Sequence, residues 1–299
     1  MWRSYLLFTL AFQLPICPID PHSLQLYAQF LSRSMSVDSI RNNLSAVKKL
    51  HLFRGSDISA FEHISTTDTL RGLQRLHGRP PNKKLPITPE LLLRIHSVLD
   101  LTDTKHLALW CAFLIAFFTF SRKSNLTSPS FHDFDPSTHL CRADISIRAS
   151  FLVVRQRCSK TNQFHQRVLE LPVAAIPYSP LCPDVQAYST LVSRVPAPPS
   201  APAFTFRTKR PHFLTHSCLV AGLRSALQRA GFDPKSYSGH SFRRGGASWA
   251  FSSDVPAELI KLHGDWKSSA YLEYLEFSFE QKLSVTRTMS SRLCNSSSM

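Results

Sequence analysis

The sequence predicts a mostly α-helical protein with a small β-hairpin or sheet, of the α+β class, in two domains. Three observations support this prediction. The 299 residues can bury a sizeable core and are enough for more than one domain. Apolar residues recur at three- and four-residue spacing through most of the chain. Residues 151–173 contain two β-rich runs around a turn, "SKTNQF", and this pattern is typical of a hairpin.

Residues 1–78 predict a small helical domain. "SLQLYAQFLSR" and "SVDSIRNNLSAVKKLHLF" have helical spacing, with Ser36 and Asp38 as suitable cap residues, and "TLRGLQRLHG" adds another basic helix. The opening "MWRSYLLFTLAF" imitates a signal peptide, but it also fits an amphipathic helix and no convincing cleavage site follows. We therefore expect an intracellular protein, with a cleaved leader as the alternative.

A Pro-rich basic stretch, "GRPPNKKLPITPE", predicts a linker over residues 79–88 and a second domain over 89–285. That domain contains a fourteen-residue apolar run, Leu107–Phe120. A membrane span needs roughly 20 residues, so the run indicates a buried helix and no membrane partner is expected. A later amphipathic helix ends at Gly231, and the Ser-rich residues 286–299 predict a disordered tail.

The formal charge of +15 points to a polyanionic partner. Lys and Arg outnumber Asp and Glu both in residues 1–87 and in residues 88–299, which suits a protein that holds nucleic acid from two sides. For each basic residue a solvated surface is the alternative interpretation. The candidates for DNA binding are Arg41, Lys48, Lys49, Arg54, Lys83, Lys84 and Arg244.

Seven scattered cysteines, with no CxxC and no grouping with His, argue against zinc. Reduced cysteines of an intracellular protein fit this pattern best. We expect neither a metal nor another cofactor.

The last quarter of the chain concentrates groups that suit phosphate chemistry. In "GHSFRRGG", His240 and Arg243 are three residues apart and share one face of a helix. A guanidinium matches two phosphate oxygens, and an imidazole can transfer a proton. "HGDWKSSAYLEYLEF" then supplies Trp266 and two tyrosines, Tyr271 and Tyr274, and its part "SAYLEYLEF" predicts a helix with both tyrosines on one side. Taken singly, each of these residues also has an ordinary structural interpretation.

Their order along the chain resembles that of the tyrosine recombinase, or phage-integrase-type, family. "HSFRRGGASWA" followed by "HGDWKSSAYLEYL" is most similar to the recombinases of DIRS-like and Crypton mobile elements, and the resemblance covers about residues 20–285. It implies a SAM-like core-binding domain before a tyrosine-recombinase catalytic domain. It also implies a homo-oligomer acting on double-stranded DNA in the nucleus.

The resemblance assigns six catalytic positions. They are Arg122 and Arg243 on the scissile phosphate, Lys160 as proton donor to the leaving 5′-oxygen, His240 as acid or base, Trp266 as N–H donor, and Tyr274 as nucleophile.

Three positions leave choices open. Tyr274 lies eight residues after Trp266, near the separation that the family uses, whereas Tyr271 lies only five after it. Asp265 could take the place of Trp266, but a carboxylate donates no hydrogen bond unless it is protonated. Asn125 stands where the family commonly has an acidic residue.

The implied function is a site-specific recombinase or integrase that forms a 3′-phosphotyrosine intermediate. The alternatives are a catalytically inactive, domesticated DNA-binding remnant of a mobile element and a type IB topoisomerase.

Overall fold

Two structural units divide the chain, Met1–Lys83 and Lys84–Met299. The computed structural model describes residues 2–78, 83–148, 150–158, 162, 167–182, 187–208 and 211–275, with a few positions between 279 and 290. The division falls inside the stretch predicted as a linker. Within the described ranges, no helix is both long and apolar enough to cross a bilayer.

The first unit is entirely helical over its described residues. Its helices are α1 (Trp2–Ala11), α2 (Pro21–Ser32), α3 (Val37–Phe53), α4 (Ser59–Glu62) and α5 (Ile64–His77). Ser36 caps α3 by accepting a hydrogen bond from the amide of Ser39, as the sequence predicts. Tyr5, Tyr27 and Ile40 are fully buried, so α1 contributes to the core of this unit.

The second unit is built around one buried helix. Its helices are α6 (Pro89–Val98), α7 (Thr104–Phe118), α8 (Lys123–Leu126), α9 (Ser189–Arg194), α10 (His216–Arg229), α11 (His240–Ser252) and α12 (Ala257–His263). Every residue of α7 from Leu107 to Phe117 is buried. The apolar run therefore forms a core helix. A helix that is apolar on all sides is buried, because it has no polar face to present to water.

The strands form two small antiparallel sheets. Strands β1 (Ile145–Ile147), β2 (Phe151–Gln156) and β3 (Leu169–Ala174) pair in the order β1-β2-β3, and β4 (Thr205–Arg207) pairs with β5 (Pro211–Phe213). Strands β2 and β3 are the predicted hairpin, with Gln156 opposite Leu169 at the end where the connecting segment joins the two strands. Strand β1 and the β4–β5 ribbon are additions to the single hairpin that the sequence predicts.

Two glycines let α11 lie directly against other backbone. A Cβ on Gly245 would lie 1.8 Å from the carbonyl oxygen of Ile87, and one on Gly246 would lie 2.1 Å from that of Phe117. Only glycine permits such an approach. Ile87 is fully buried, and its amide donates to the carbonyl of Ser241. Residues 84–88, within the predicted linker, thus belong to the second unit and pack against α11 and the segment before it.

Candidate active site

Arg243 lies at the centre of the candidate site. It projects from the first turns of α11 and is only 3% exposed. Its Nη1 donates to the carbonyl of Phe120 at 2.6 Å, and its Nη2 donates to the carbonyl of Gly264 at 2.7 Å. The guanidinium carbon lies 3.6 Å from the ring centroid of Trp266. These contacts hold the guanidinium in one place, between the end of α7 and the end of α12.

Arg122 lines the same cleft. It follows the end of α7, and its amide donates to the Asn125 side chain at 3.1 Å. Burial, and then the nearby charge of Arg122, lower the pKa of Arg243 to about 9; the Tyr274 hydroxyl and the Asp265 carboxylate act in the opposite direction. A cleft with two neighbouring cations attracts an anion.

Both tyrosines pack on Trp266, and Tyr274 also lies near Arg243. The ring of Tyr274 is centred 5.6 Å from the Arg243 guanidinium carbon and 5.4 Å from the Trp266 ring. Tyr271 packs on Trp266 at 6.2 Å. The backbone carbonyl of Tyr274 also accepts a hydrogen bond of 2.8 Å from Ser248 of α11. Both tyrosines belong to a 3₁₀ helix, Ser269–Tyr274, where the sequence predicts an ordinary helix.

Two buried donors of this site lack a hydrogen-bond acceptor among the described residues. They are Nε of Arg243 and Nε1 of Trp266. A buried donor without a partner costs about 1–3 kcal/mol. An oxyanion in the cleft would supply acceptors for donors of this kind.

His240 and Lys160 complete the predicted set. His240 is exposed in the first turn of α11, three residues before the buried Arg243. The start of this helix adjoins Lys123, since a Cβ on Gly239 would lie 3.4 Å from the Lys123 Cβ. Lys160 lies outside the described residues.

Two polar contacts that the sequence does not predict connect the sheet to the cleft. The Gln156 side chain donates to the Ser121 hydroxyl at 2.5 Å, which in turn contacts Thr119 at 2.6 Å. Arg167, two residues before β3, forms an ion pair with Asp265. Gln156 and Asp265 both line the cleft. The partners are 35 and 98 residues apart in the chain, and no local pattern indicates such pairings.

Four predicted DNA-binding residues lie in the first unit on or after α3. Arg41 pairs with Asp38 at 3.1 Å, and Lys48 pairs with Glu62 at 2.7 Å. These pairs are solvent-exposed and contribute little to stability. The remaining two, Lys49 and Arg54, are exposed.

The predicted DNA-binding residues near the unit boundary differ in their surroundings. Lys83 is exposed. The Lys84 ammonium donates to the carbonyl of Lys235 at 2.7 Å, and Arg244 donates to the carbonyl of Lys84 at 3.0 Å. Lys84 and Arg244 therefore hold the start of the second unit against the segment that precedes α11.

Within the described ranges, no group of three or more His, Cys, Asp or Glu side chains has an arrangement that could bind a metal ion.

No protein-family model and no curated protein sequence matches the chain. Solved structures do match it. XerH site-specific recombinase bound to difH substrate is 13% identical, with a TM-score of 0.54 over 90% of this chain and 70% of that one. Tn1549 transposon integrase in complex with transposon right end DNA is 13% identical, with a TM-score of 0.57 over 91% and 86%.

A lambda integrase dimer bound to a COC′ core site is 15% identical, with a TM-score of 0.52 over 91% of this chain and 87% of that one. At these identities the likeness concerns the fold. The chain is mostly helical with a small antiparallel sheet, and it has the fold of the tyrosine recombinase catalytic domain.

Proposed function

We propose that this protein is a DNA strand transferase of the tyrosine recombinase type, which cuts and rejoins DNA through a 3′-phosphotyrosine intermediate. One observation carries the proposal: a buried guanidinium, Arg243, lies against Trp266 and Tyr274 in a cleft that Arg122 also lines. The fold, which is that of site-specific recombinases solved with DNA, supports it.

The proposed reaction exchanges one phosphoester bond for another. The phenolic oxygen of Tyr274 forms a bond to the phosphorus, and the bond from phosphorus to the 5′-oxygen breaks. The 5′-oxygen takes a proton from Lys160, and the phenolic proton passes to His240. Because the new phosphoester conserves the energy of the old one, the 5′-hydroxyl of another strand can reverse the step.

The arginines and the indole act on the charge that develops during this exchange. Negative charge accumulates on the non-bridging oxygens of the transition state, where donors fixed beforehand give the largest stabilisation. Arg243 is fixed by its two carbonyl partners and by Trp266. The Arg243 Nε and Trp266 Nε1 donors are buried and have no acceptor among the described residues, and we propose that phosphate oxygens reach them once DNA is bound.

Tyr274 is the preferred nucleophile. Its ring is close to both Arg243 and Trp266, and its main chain is held by Ser248.

The biological setting that we propose is a eukaryotic mobile element of the DIRS-like or Crypton kind, with the protein acting in the nucleus as a homo-oligomer on its DNA ends. The motifs "HSFRRGGASWA" and "HGDWKSSAYLEYL" support this assignment.

Covalent capture tests the proposal without knowledge of the target site. The protein is incubated with nicked suicide duplexes that carry a randomised core, and adducts are separated on denaturing gels and sequenced. Wild type is expected to form adducts, Tyr274→Phe to form none, and Tyr271→Phe, the matched control, to retain them.

Two results would contradict the proposal. Adducts that persist in Tyr274→Phe and disappear in Tyr271→Phe would identify the other tyrosine as nucleophile. Binding to duplex DNA without any adduct would favour the inactive DNA-binding remnant. A type IB topoisomerase would relax supercoiled plasmid without a preferred sequence among its adducts.

A further inference from the structure

The ion pair between Arg167 and Asp265 connects two parts of the site that are distant in sequence. Arg167 lies just before β3, and Asp265 follows α12 and directly precedes Trp266. The Asp265 side chain is 12% exposed, whereas that of Arg167 is 50% exposed. The carboxylate therefore lies inside the cleft, and the arginine covers it from the solvent side.

Asp265 has an unusual backbone conformation. Its φ is +54°, in the left-handed region that non-glycine residues rarely adopt, although Asp tolerates it better than most. The amides of Asp265 and Trp266 donate to the carbonyls of Leu262 and Lys261, each at 3.1 Å. The end of α12 thus holds the carboxylate in the same cleft as Arg122 and Arg243.

The other side of the ion pair is fixed to the hairpin base, the point where the segment that connects β2 and β3 joins the two strands. The Asn162 side chain is 6% exposed, and its amino group donates to the carbonyl of Arg157 at 2.9 Å and to that of Arg167 at 2.5 Å. This single amide therefore bridges the two sides of the hairpin base. In sequence, Lys160 stands two residues before Asn162.

We propose that Arg167 is a positioning residue with two effects, and this inference rests on the proposed function. It anchors the base of the hairpin that carries Lys160 to the loop that carries Trp266. It also neutralises the Asp265 carboxylate, which would otherwise repel a phosphate that enters the cleft.

The two effects give distinguishable consequences. Without Arg167, the hairpin base loses its anchor, and the Asp265 carboxylate beside Arg122 and Arg243 loses this partner. Removal of the Asp265 charge as well eliminates the repulsion but does not restore the anchor. The double variant is therefore expected to be better than the Arg167 variant and worse than wild type.

The test measures the rate of adduct formation on the selected suicide duplex for wild type, Arg167→Gln, Arg167→Lys and the double variant Arg167→Gln/Asp265→Asn. The matched control is Arg155→Gln, which breaks the exposed pair with Glu170 on the same hairpin. Arg167→Gln is expected to slow the reaction at least tenfold, Arg167→Lys to recover part of it, and Arg155→Gln to stay within twofold of wild type.

A second substrate separates proton donation from phosphate binding. In a 5′-bridging phosphorothiolate the leaving group is a thiolate, which needs no proton because a thiol has a pKa of about 8.5. On this substrate Lys160→Ala is expected to recover fully. The double variant is also expected to recover, and Arg167→Gln only in part, because its repulsion persists.

Hydrogen exchange supplies a readout that does not need activity. The amides of residues 157–167 are expected to exchange at least threefold faster in Arg167→Gln than in wild type, and at the wild-type rate in Arg155→Gln. Equal exchange in all three proteins, or equal cleavage rates for Arg167→Gln and Arg155→Gln, would overturn the inference. If wild type forms no adduct but Arg167→Gln still exchanges faster than wild type, Arg167 anchors the hairpin base and the proposed function is wrong.

Discussion

Gly264 gives the most direct test of how the candidate site is built. A Cβ at this position would lie 1.6 Å from one carbon of the Trp266 ring and 2.1 Å from the next. The backbone has φ −81° and ψ 1°, which alanine adopts without strain. The effect of Gly264→Ala therefore comes from the collision with the indole, and either the ring or the end of α12 has to move.

The cost follows from what the indole contacts. Forcing an extra carbon into a packed site costs about 1–3 kcal/mol. At about 2–4 °C per kcal/mol for a unit of this size, Gly264→Ala lowers the unfolding temperature of the second unit by about 2–12 °C. A displaced ring also loses its contact with the Arg243 guanidinium, which is 3.6 Å away and is worth about 0.5–2 kcal/mol. We expect adduct formation to fall at least tenfold.

Differential scanning calorimetry and the adduct assay measure these two effects. Gly72→Ala in α5 is the matched control, because nothing lies within 4 Å of the added carbon and the same substitution should be neutral or stabilising. If Gly264→Ala unfolds at the wild-type temperature and forms adducts within twofold of the wild-type rate, the Trp266 ring does not hold the Arg243 guanidinium in place.

Three further predictions concern the cleft and its charge. Gln156→Leu removes the buried hydrogen bond to Ser121 and is expected to lower the free energy of unfolding by about 1–2 kcal/mol in urea titrations; an unchanged midpoint would contradict this. Burial lowers the pKa of Arg243 to about 9 in the folded protein, against an ordinary value of 12.5. The free-energy cost of burying its charge is therefore fully present below pH 9 and is relieved as the pH rises from 9 towards 12.5. Wild type should therefore gain stability relative to Arg243→Met above pH 9, by up to about 1.4 kcal/mol per pH unit, whereas parallel pH curves would show that the charge is compensated. If the charge of +15 serves DNA binding, the affinity for DNA should fall by orders of magnitude between about 50 and 200 mM salt, because binding releases counterions from the DNA phosphates. An affinity that does not change with salt would assign the charge another role.

The local elements could be predicted because their signals are local. The apolar run that forms α7 is continuous, and the runs that form β2 and β3 are separated by a turn. Strand β1 was not predicted, because three residues are too few to show an alternating pattern. The segment Ser269–Tyr274 is a 3₁₀ helix. The sequence does not distinguish it from an α-helix, because a spacing of three residues fits both.

The sequence proposes residues for the candidate site but predicts only some of their contacts. His240 and Arg243 are separated by one helical turn, so their shared face follows from the sequence. The carbonyls that fix Arg243 belong to Phe120 and Gly264, which are 123 and 21 residues away. Nothing in local periodicity identifies such acceptors, because they are backbone groups brought close by tertiary packing.

The glycine pair after Arg243 explains why that packing places the two arginines in one cleft. Gly245 and Gly246 allow α11 to rest on the backbone at Ile87 and at Phe117, near the end of α7. Arg122 follows that end of α7, and Arg243 lies one turn before the contact. A larger residue at Gly246 would separate α11 from α7 and would draw Arg243 away from the carbonyl of Phe120. The geometry of the candidate site is thus a consequence of close backbone packing, and it forms only when the core of the second unit has formed.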